Sequence, residues 1–294
     1  MVHAPSLCEV EGGGLFAVWY AASYETSPDT VIMGAWWDPK TDRWSMPEVV
    51  VDIPGVPVGN PVLFSHGRRV YLFYVMLFGD SWTDAEIVMS ISRDNGHTWE
   101  GNRIISPKRG LMTKTKPILF QDGRLLLPVY DERIWCSMVL ISEPPYEDWR
   151  LYGDLMAKGT AIQPAVVKRG DGVLVMYSRT NKGRIWETLS YDGGYSWIAS
   201  YPTPLPNPNS GIDMIRLSDG RFALVMNDLE VGRGRLVFAI SQDEGKTWRR
   251  EVVLEDGEGE FSYPSILQVK DGEVHILYTW QRIKISHITL SNGG

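Results

Sequence analysis

Several short apolar strands in this 294-residue chain begin beside residues able to donate, accept or ionise. Five open on proline, at His3-Ala4-Pro5, Asn60-Pro61, Lys116-Pro117, Gln163-Pro164 and Tyr263-Pro264, and Asn209, Ser210 and Asp213 occupy the matching stretch of a sixth. Polar loops between them carry Glu25 and Asp29, Asp80 and Asp84, Asp131, Glu132 and Arg133, Arg179 and Arg184, Arg233 and Arg235, and Trp280, Gln281 and Arg282. With Lys116, seven basic side chains belong to this set, although 29 Lys+Arg against 36 Asp+Glu leave the chain at −7. A local group of arginines in an acidic protein suits an anionic ligand, because guanidinium forks bind carboxylates through paired hydrogen bonds. The carboxylates and His3 offer acid–base chemistry, and the phenol of Tyr263 offers a nucleophile. The overall charge argues against nucleic acid or an anionic membrane as partner. No cofactor motif or metal-ligand spacing is present.

The elements that must position these residues repeat. A Gly turn followed by an apolar strand occurs six times, with turn glycines at 14, 67, 123, 172, 220 and 272, spaced by 53, 56, 49, 48 and 52 residues. A second turn, S-x-D-x-G-x-x-W, occurs cleanly at Ser92–Trp99, Ser190–Trp197 and Ser241–Trp248. Ser142 to Trp149 keeps its spacing without the Asp or Gly, and Trp44 falls at the repeat position of the first unit. In such a turn Asp bonds its own backbone, Gly supplies positive φ and Trp packs back on the strands.

Units of about 50 residues with four short antiparallel strands are propeller blades. The fold expected is therefore all-β, a six-bladed β-propeller of four-stranded antiparallel blades, forming one domain over residues 1–294. The last unit ends at His287–Leu290, which leaves either a short sixth blade or a strand supplied from before Met1. With 44% hydrophobic residues the chain can bury a core, and Cys8 and Cys136, each in an apolar run, are expected as buried thiols. No apolar run approaches a membrane span and no signal-peptide pattern opens the sequence, so a cytoplasmic protein, or a secreted one with its leader removed, is expected. In a propeller the first strand of each blade lines the channel. The strand-start residues and the loops between second and third strands should then share one mouth, with the S-x-D-x-G-x-x-W turns on the opposite face.

That turn resembles the Asp box of the sialidase (neuraminidase) superfamily, whose members are six-bladed propellers. Phrases such as LLLPVYDER, LPNPNSGID and SYPSILQVKDGEVHILYTW are similar to bacterial predicted-neuraminidase proteins. The resemblance implies an exo-acting glycosidase for a terminal acidic sugar, with three arginines on the substrate carboxylate, a Tyr nucleophile assisted by a Glu, and an Asp acid from the first-blade loop. On this pattern Tyr263 resembles the nucleophile, Arg179 and Arg233 two of the arginines, and Asp29 the acid. Two positions depart: His3-Ala4-Pro5 stands where the family has Arg-Ile-Pro, and Gln163 where it has the Glu. Gln cannot take a proton, so a base for Tyr263 is sought in Asp213 or the Asp131–Glu132 pair, or His3 carries the chemistry. Lys116, Gln163, Asn60, Asp213, Arg184 and Arg282 complete the expected sugar-binding set, with Trp82, Trp135 and Trp280 available to stack on sugar faces. Two alternatives stand beside this reading: a sugar-binding propeller without catalysis, and a lyase for uronate-containing polysaccharide.

Overall fold

Runs such as Leu125-Leu-Leu-Pro-Val-Tyr130 are apolar at successive positions, a pattern that fits a strand buried on both faces. Both faces are indeed covered. Leu125, Leu127 and Val129 pack against Val62, Phe73 and Val75 of the preceding sheet, while Leu126 turns to Val166, Leu174 and Met176 of the next. Clusters of this kind fill the seams between successive sheets around the ring.

The computed structural model describes residues 1–153 and 159–291. Its sheets are six blades of a propeller, with innermost strands Val2–Glu9, Val58–His66, Leu111–Thr113 continued by Ile118–Leu119, Ala161–Lys168, Asp213–Arg216 and Phe261–Gln268. Second strands run Leu15–Ala21, Arg69–Leu77, Leu125–Asp131, Leu174–Thr180, Phe222–Asn227 and Val274–Trp280. Third strands follow at Val31–Asp38, Ala85–Ser92, Cys136–Ser142, Arg184–Ser190, Arg235–Ser241 and Lys284–Leu290. An outer strand completes blades 2 to 5, blade 1 carries two short outer pieces, and blade 6 has three strands among the described residues. A 3-10 turn at Trp82–Asp84 is the one helical element among those residues. Cys8 and Cys136 are buried as expected, and burial pushes the Cys8 thiol up to about 12.

The repeated turns are structural. Ser92 Oγ donates to Asp94 Oδ1 (2.7 Å) and accepts from Gly96 N (2.8 Å), and Asp94 accepts from Thr98 N (2.8 Å) and Thr98 Oγ1 (2.6 Å). The same bonds recur at 190–196 and 241–247. Gly96 has φ 93°, and a Cβ there would lie 2.7 Å from the Phe16 ring, so both conformation and the neighbouring blade demand glycine. Trp248 Nε1 reaches Tyr177 OH of the preceding blade at 3.1 Å, tying one blade to the next.

Closing the ring brings blade 6 to blade 1. Val2 N donates to Arg282 O (2.9 Å), and Trp44 Nε1 donates to His287 Nδ1 (3.2 Å). With Nδ1 accepting, a neutral His287 carries its proton on Nε2, which can donate to His275 Nδ1 at 3.0 Å. This chain requires both imidazoles neutral. Burial, then the neighbouring His275, holds His287 down at about 4, against an ordinary 6.5. Burial also lowers His275. Between those two values the unfolded chain binds protons that the folded ring refuses, so stability falls as pH drops from about 6.5 to 4. Lowering the pH from 7 to 5 should reduce Tm, and His287→Gln, which keeps an acceptor for Trp44 but cannot ionise, should lessen that loss. Allowing for partial solvent exposure, the difference is on the order of 1 kcal/mol, about 2–4 °C, in pH-dependent thermal unfolding. An equal pH slope in wild type and variant would remove His287 from the account.

Candidate functional site

Four inner strands lose their pairing register at one place, between His3 and Ser6, Gly59 and Val62, Ile162 and Ala165, and Ser262 and Ser265. At each of these bulges the residue before proline takes positive φ: Ala4 at 51°, Asn60 at 44°, Gln163 at 52° and Tyr263 at 53°. This conformation is uncommon for side chains of this size, and a bulge re-aims the residue it carries. Here Asn60, Gln163 and Tyr263 meet. Gln163 Nε2 donates to Tyr263 OH (3.1 Å) and Tyr130 OH (3.3 Å), and Asn60 Nδ2 donates to Tyr130 OH (3.1 Å).

Arg179, one strand outward from Gln163, sets the orientation of that amide. Its Nη1 donates to Gln163 Oε1 (3.0 Å) and to Tyr263 OH (2.8 Å). Asn209 then holds two arginines with its two oxygens, Oδ1 accepting from Arg179 Nε (2.7 Å) and the carbonyl from Arg233 Nη2 (2.8 Å). Both guanidinium groups lie beside the Tyr263 ring, at 5.9 and 5.8 Å from its centre, with Lys114 Nζ at 5.7 Å. Gly211 makes the approach possible, since a Cβ there would stand 2.9 Å from Gln163 Oε1 and 3.2 Å from Lys114 Cε. Tyr263 and Arg179 each keep 8% of their surface exposed.

Arg282 completes the rim. Glu260 bridges Arg233 Nη1 (2.8 Å) and Arg282 Nε (2.9 Å), and Glu25 accepts from Arg282 Nη1 (2.9 Å) and from Trp82 Nε1 (3.3 Å). Burial alone would raise Glu260, yet hydrogen bonds from Arg282 and Ser262 and the charge of Arg233 bring it to about 2. Arg233 and Arg282 are thus balanced by carboxylates. Among the described residues Arg179 has only neutral hydrogen-bond partners, and Lys114 donates to Pro264 O (2.8 Å) while burial pushes it down to about 8.

Several expected site residues lie elsewhere. In blade 3 the bulge is wider, Thr113 pairing Val129 and Ile118 pairing Leu126, so Lys114 takes the place expected for Lys116. Lys116 points farther down the channel, where Nζ bonds Ser265 Oγ (2.8 Å) and Ile266 O (3.0 Å) and pairs with Asp213 Oδ2 at 3.5 Å. Asp213 is committed there too, accepting from Ile266 N (2.9 Å). Arg184 pairs with Glu230 (2.6 Å) and Pro204 O (2.9 Å) on the flank of blades 4 and 5. Asp29 sits in an exposed loop, where hydrogen bonds from Ser23, then Ser27, hold it at about 2, and no contact joins it to Tyr263 or the arginines. Of that loop, Glu25 is the residue that reaches the rim.

His3 lies in the cluster with a different role from the one expected. Its ring is 4.1 Å from that of Tyr263 and 1% exposed, and burial, then Arg282, keeps it neutral. Neither ring nitrogen finds a partner among the described residues. It forms a wall behind Tyr263 and is not placed to take a proton from a substrate. Asp131 is held by Arg133 (3.0 Å) and Lys108 (2.8 Å). Glu132, in the turn just past the second strand of blade 3, is half-buried with no hydrogen-bonded or paired partner for its carboxyl among the described residues. Burial raises its pKa against the pull of Arg179, and Glu25 and Asp131 push it higher. Lys114, Tyr130, Glu260 and the role of Asn209 were not read from sequence. Counting the register across the blade-3 bulge, and alternation along PVYDE, were the signals available. Trp82 stands at this mouth, 6.4 Å from Tyr20, whereas the Trp280 face is capped by Lys284 at 4.4 Å. No three His, Cys, Asp or Glu side chains among the described residues gather as a metal site.

Comparison with known proteins agrees with the architecture. Residues 13–276 match the model of the BNR repeat-like domain. A sialidase of Bacteroides fragilis (strain YCH46) is 23% identical over 233 residues, covering 69% of this chain and 42% of the relative. Among solved structures, the Hadza microbial sialidase Hz136 superposes with a TM-score of 0.85 at 18% identity, over 99% of this chain and 66% of that one. The NanB sialidase from Streptococcus pneumoniae gives 0.83 at 12%, over 99% and 68%, and the intramolecular trans-sialidase from Ruminococcus gnavus 0.78 at 17%, over 98% and 92%. The chain therefore spans about two fifths of the curated relative and about two thirds of the first two structures. With the family model covering nearly its whole length, and the Asp-box turns and six blades of the sialidase superfamily in place, the chain belongs to the BNR repeat-like domain family.

Proposed function

We propose that this protein is a sialidase-like glycoside hydrolase that removes a terminal acidic sugar from a glycan. The observation that carries the reading is the Tyr263 phenol, fixed at one channel mouth by Arg179 and Gln163, with Arg179 and Lys114 lacking carboxylate partners among the described residues. A sugar carboxylate supplies the counter-charge that Arg179 lacks, with Arg233 and Arg282 held behind it by Glu260. Relatives whose names are sialidase and trans-sialidase support the same class.

In this proposal Tyr263 Oη attacks the anomeric carbon, so that a carbon–oxygen bond to Tyr263 forms as the glycosidic bond breaks. Gln163 cannot accept the phenolic proton; it positions the ring oxygen, with Oε1 engaged by Arg179. Proton transfer falls to Glu132, because Asp29 is held ionised away from the cluster and Asp131 and Asp213 are already paired. Glu132, whose pKa burial raises, gives its proton to the departing oxygen and recovers one from the phenol. Water then attacks the same carbon, releasing the sugar and restoring the Tyr263 hydroxyl.

Hydrolysis of a fluorogenic N-acetylneuraminic acid glycoside tests this reading. Tyr263→Phe should abolish turnover and leave sugar binding within a few-fold, since only the phenolic oxygen is lost. Glu132→Gln should lower kcat by about 10²–10⁴-fold and remove the loss of activity that sets in as pH rises through the Glu132 pKa. Arg179→Ala should weaken binding of the acidic sugar by roughly 10- to 150-fold, the value of one or two hydrogen bonds to a charged group. Gln163, where a carboxylate would assist Tyr263, favours one competing reading, a propeller that only binds. That reading takes over if the wild type binds acidic sugars but turns over no acidic glycoside.

A further inference from the structure

The channel has a second mouth. Beyond the bulges the inner strands run away from Tyr263, and the Lys116–Asp213 pair with Ser265 crosses the channel between the two ends. Below that pair opens a cavity of about 610 Å³, a volume ordinary for a small-molecule site. Apolar side chains of its wall, Phe64, Ile118, Val166, Ile215 and Leu267, come from five blades. Its rim is cationic. Lys168 and Arg169 stand at the end of the blade-4 inner strand and Arg216 at the end of the blade-5 inner strand.

These three cations have no carboxylate partner among the described residues. Lys168 Nζ lies over the Phe120 ring at 5.6 Å, and Arg169 Nε donates to the backbone oxygen of Glu244 at 3.4 Å. The nearby Glu244 carboxylate accepts from Gly170 N at 2.6 Å instead. Elsewhere on the surface arginines are commonly paired, as Arg221 is with Asp219 and Arg250 with Asp228. An apolar cup with uncompensated cations on one side of its rim is complementary to a particular chemistry: one anionic head on an apolar body.

We infer that this far mouth is a second binding site, for an organic anion carrying a carboxylate, sulfate or sulfonate head on a short apolar body. The head meets Arg216, Arg169 and Lys168, and the body lies on Phe64, Ile118, Val166 and Leu267. None of the residues that hold Tyr263 lines this cavity, so its binding is distinct from the sugar chemistry at Tyr263.

Isothermal titration with 1-octanesulfonate tests the inference, with inorganic sulfate as head alone and octyl glucoside as an uncharged body. One octanesulfonate should bind per chain, at least tenfold more tightly than either control. The double variant Arg169→Ser/Arg216→Ser, which gives up only the long bond from Arg169 to Glu244 O, should weaken it at least tenfold with Tm within a few degrees of wild type, while Arg179→Ala should leave it unaltered. Absence of saturable binding would overturn the site. Equal binding of inorganic sulfate would reduce it to a simple ion site, and equal binding of octyl glucoside to an apolar groove; both outcomes contradict the inference. Loss of binding in Arg179→Ala, with the double variant intact, would place the octanesulfonate at the other mouth and refute it as well.

Discussion

The site depends on a break in the inner-strand ladder just before proline. A regular strand sends successive side chains to alternate faces, and in a propeller blade both faces are seams between sheets. A side chain directed into the channel therefore needs a local exception. Positive φ at Asn60, Gln163 and Tyr263, held by the proline that follows and by the resumed ladder at Val62, Ala165 and Ser265, supplies it. Conformations of this kind persist where surrounding structure over-determines them, and here the interlocked seams do so. Gln163, Tyr263 and Asn60 come from different blades and meet only because each strand breaks at the same level.

The charges at that level are distributed unequally. Glu260 and Glu25 neutralise the outer arginines, which fixes their geometry and limits their attraction for a ligand. Arg179 is left to neutral oxygens, and those neutral oxygens include the phenol proposed to react. Where a carboxylate might have stood beside Tyr263, Gln163 keeps the hydrogen bonds and gives up the proton chemistry. The placement of Glu132 matters for that reason: half-buried and near Arg179, it is claimed by neither an arginine nor a backbone amide among the described residues.

Much of the architecture was legible in the sequence, because the Gly turns and Asp boxes are local signals with physical causes and recur at one period. Tyr263, Gln163 and Asn60 could be placed together for the same reason, each sitting directly before a repeated proline, and Arg179, Arg233 and Arg282 follow the apolar strand after each Gly turn at no fixed distance. Lys116 misled because blade 3 carries a wider bulge: proline marks the strand, but the number of residues looped out decides which side chain faces the mouth. His3 misled differently. Ala4 occupies the bulge position of blade 1, so His3 packs sideways on Tyr263. Asp29 and Glu25 lie in one loop, and only the partners they find, Ser23 for one and Arg282 for the other, distinguish them. Such partnerships span up to 257 residues of sequence and have no local signature.

The central claim, that Tyr263 is the group that bonds to the sugar, can be read directly by trapping. A sialosyl fluoride bearing a second fluorine beside the anomeric centre slows the release of a covalent intermediate more than its formation, and intact-mass spectrometry followed by peptide mapping locates the adduct. The account predicts one sugar per chain, attached to the peptide at Tyr263 and absent from Tyr263→Phe. An adduct on any other residue, or hydrolysis of the reagent by Tyr263→Phe at the wild-type rate, would contradict it.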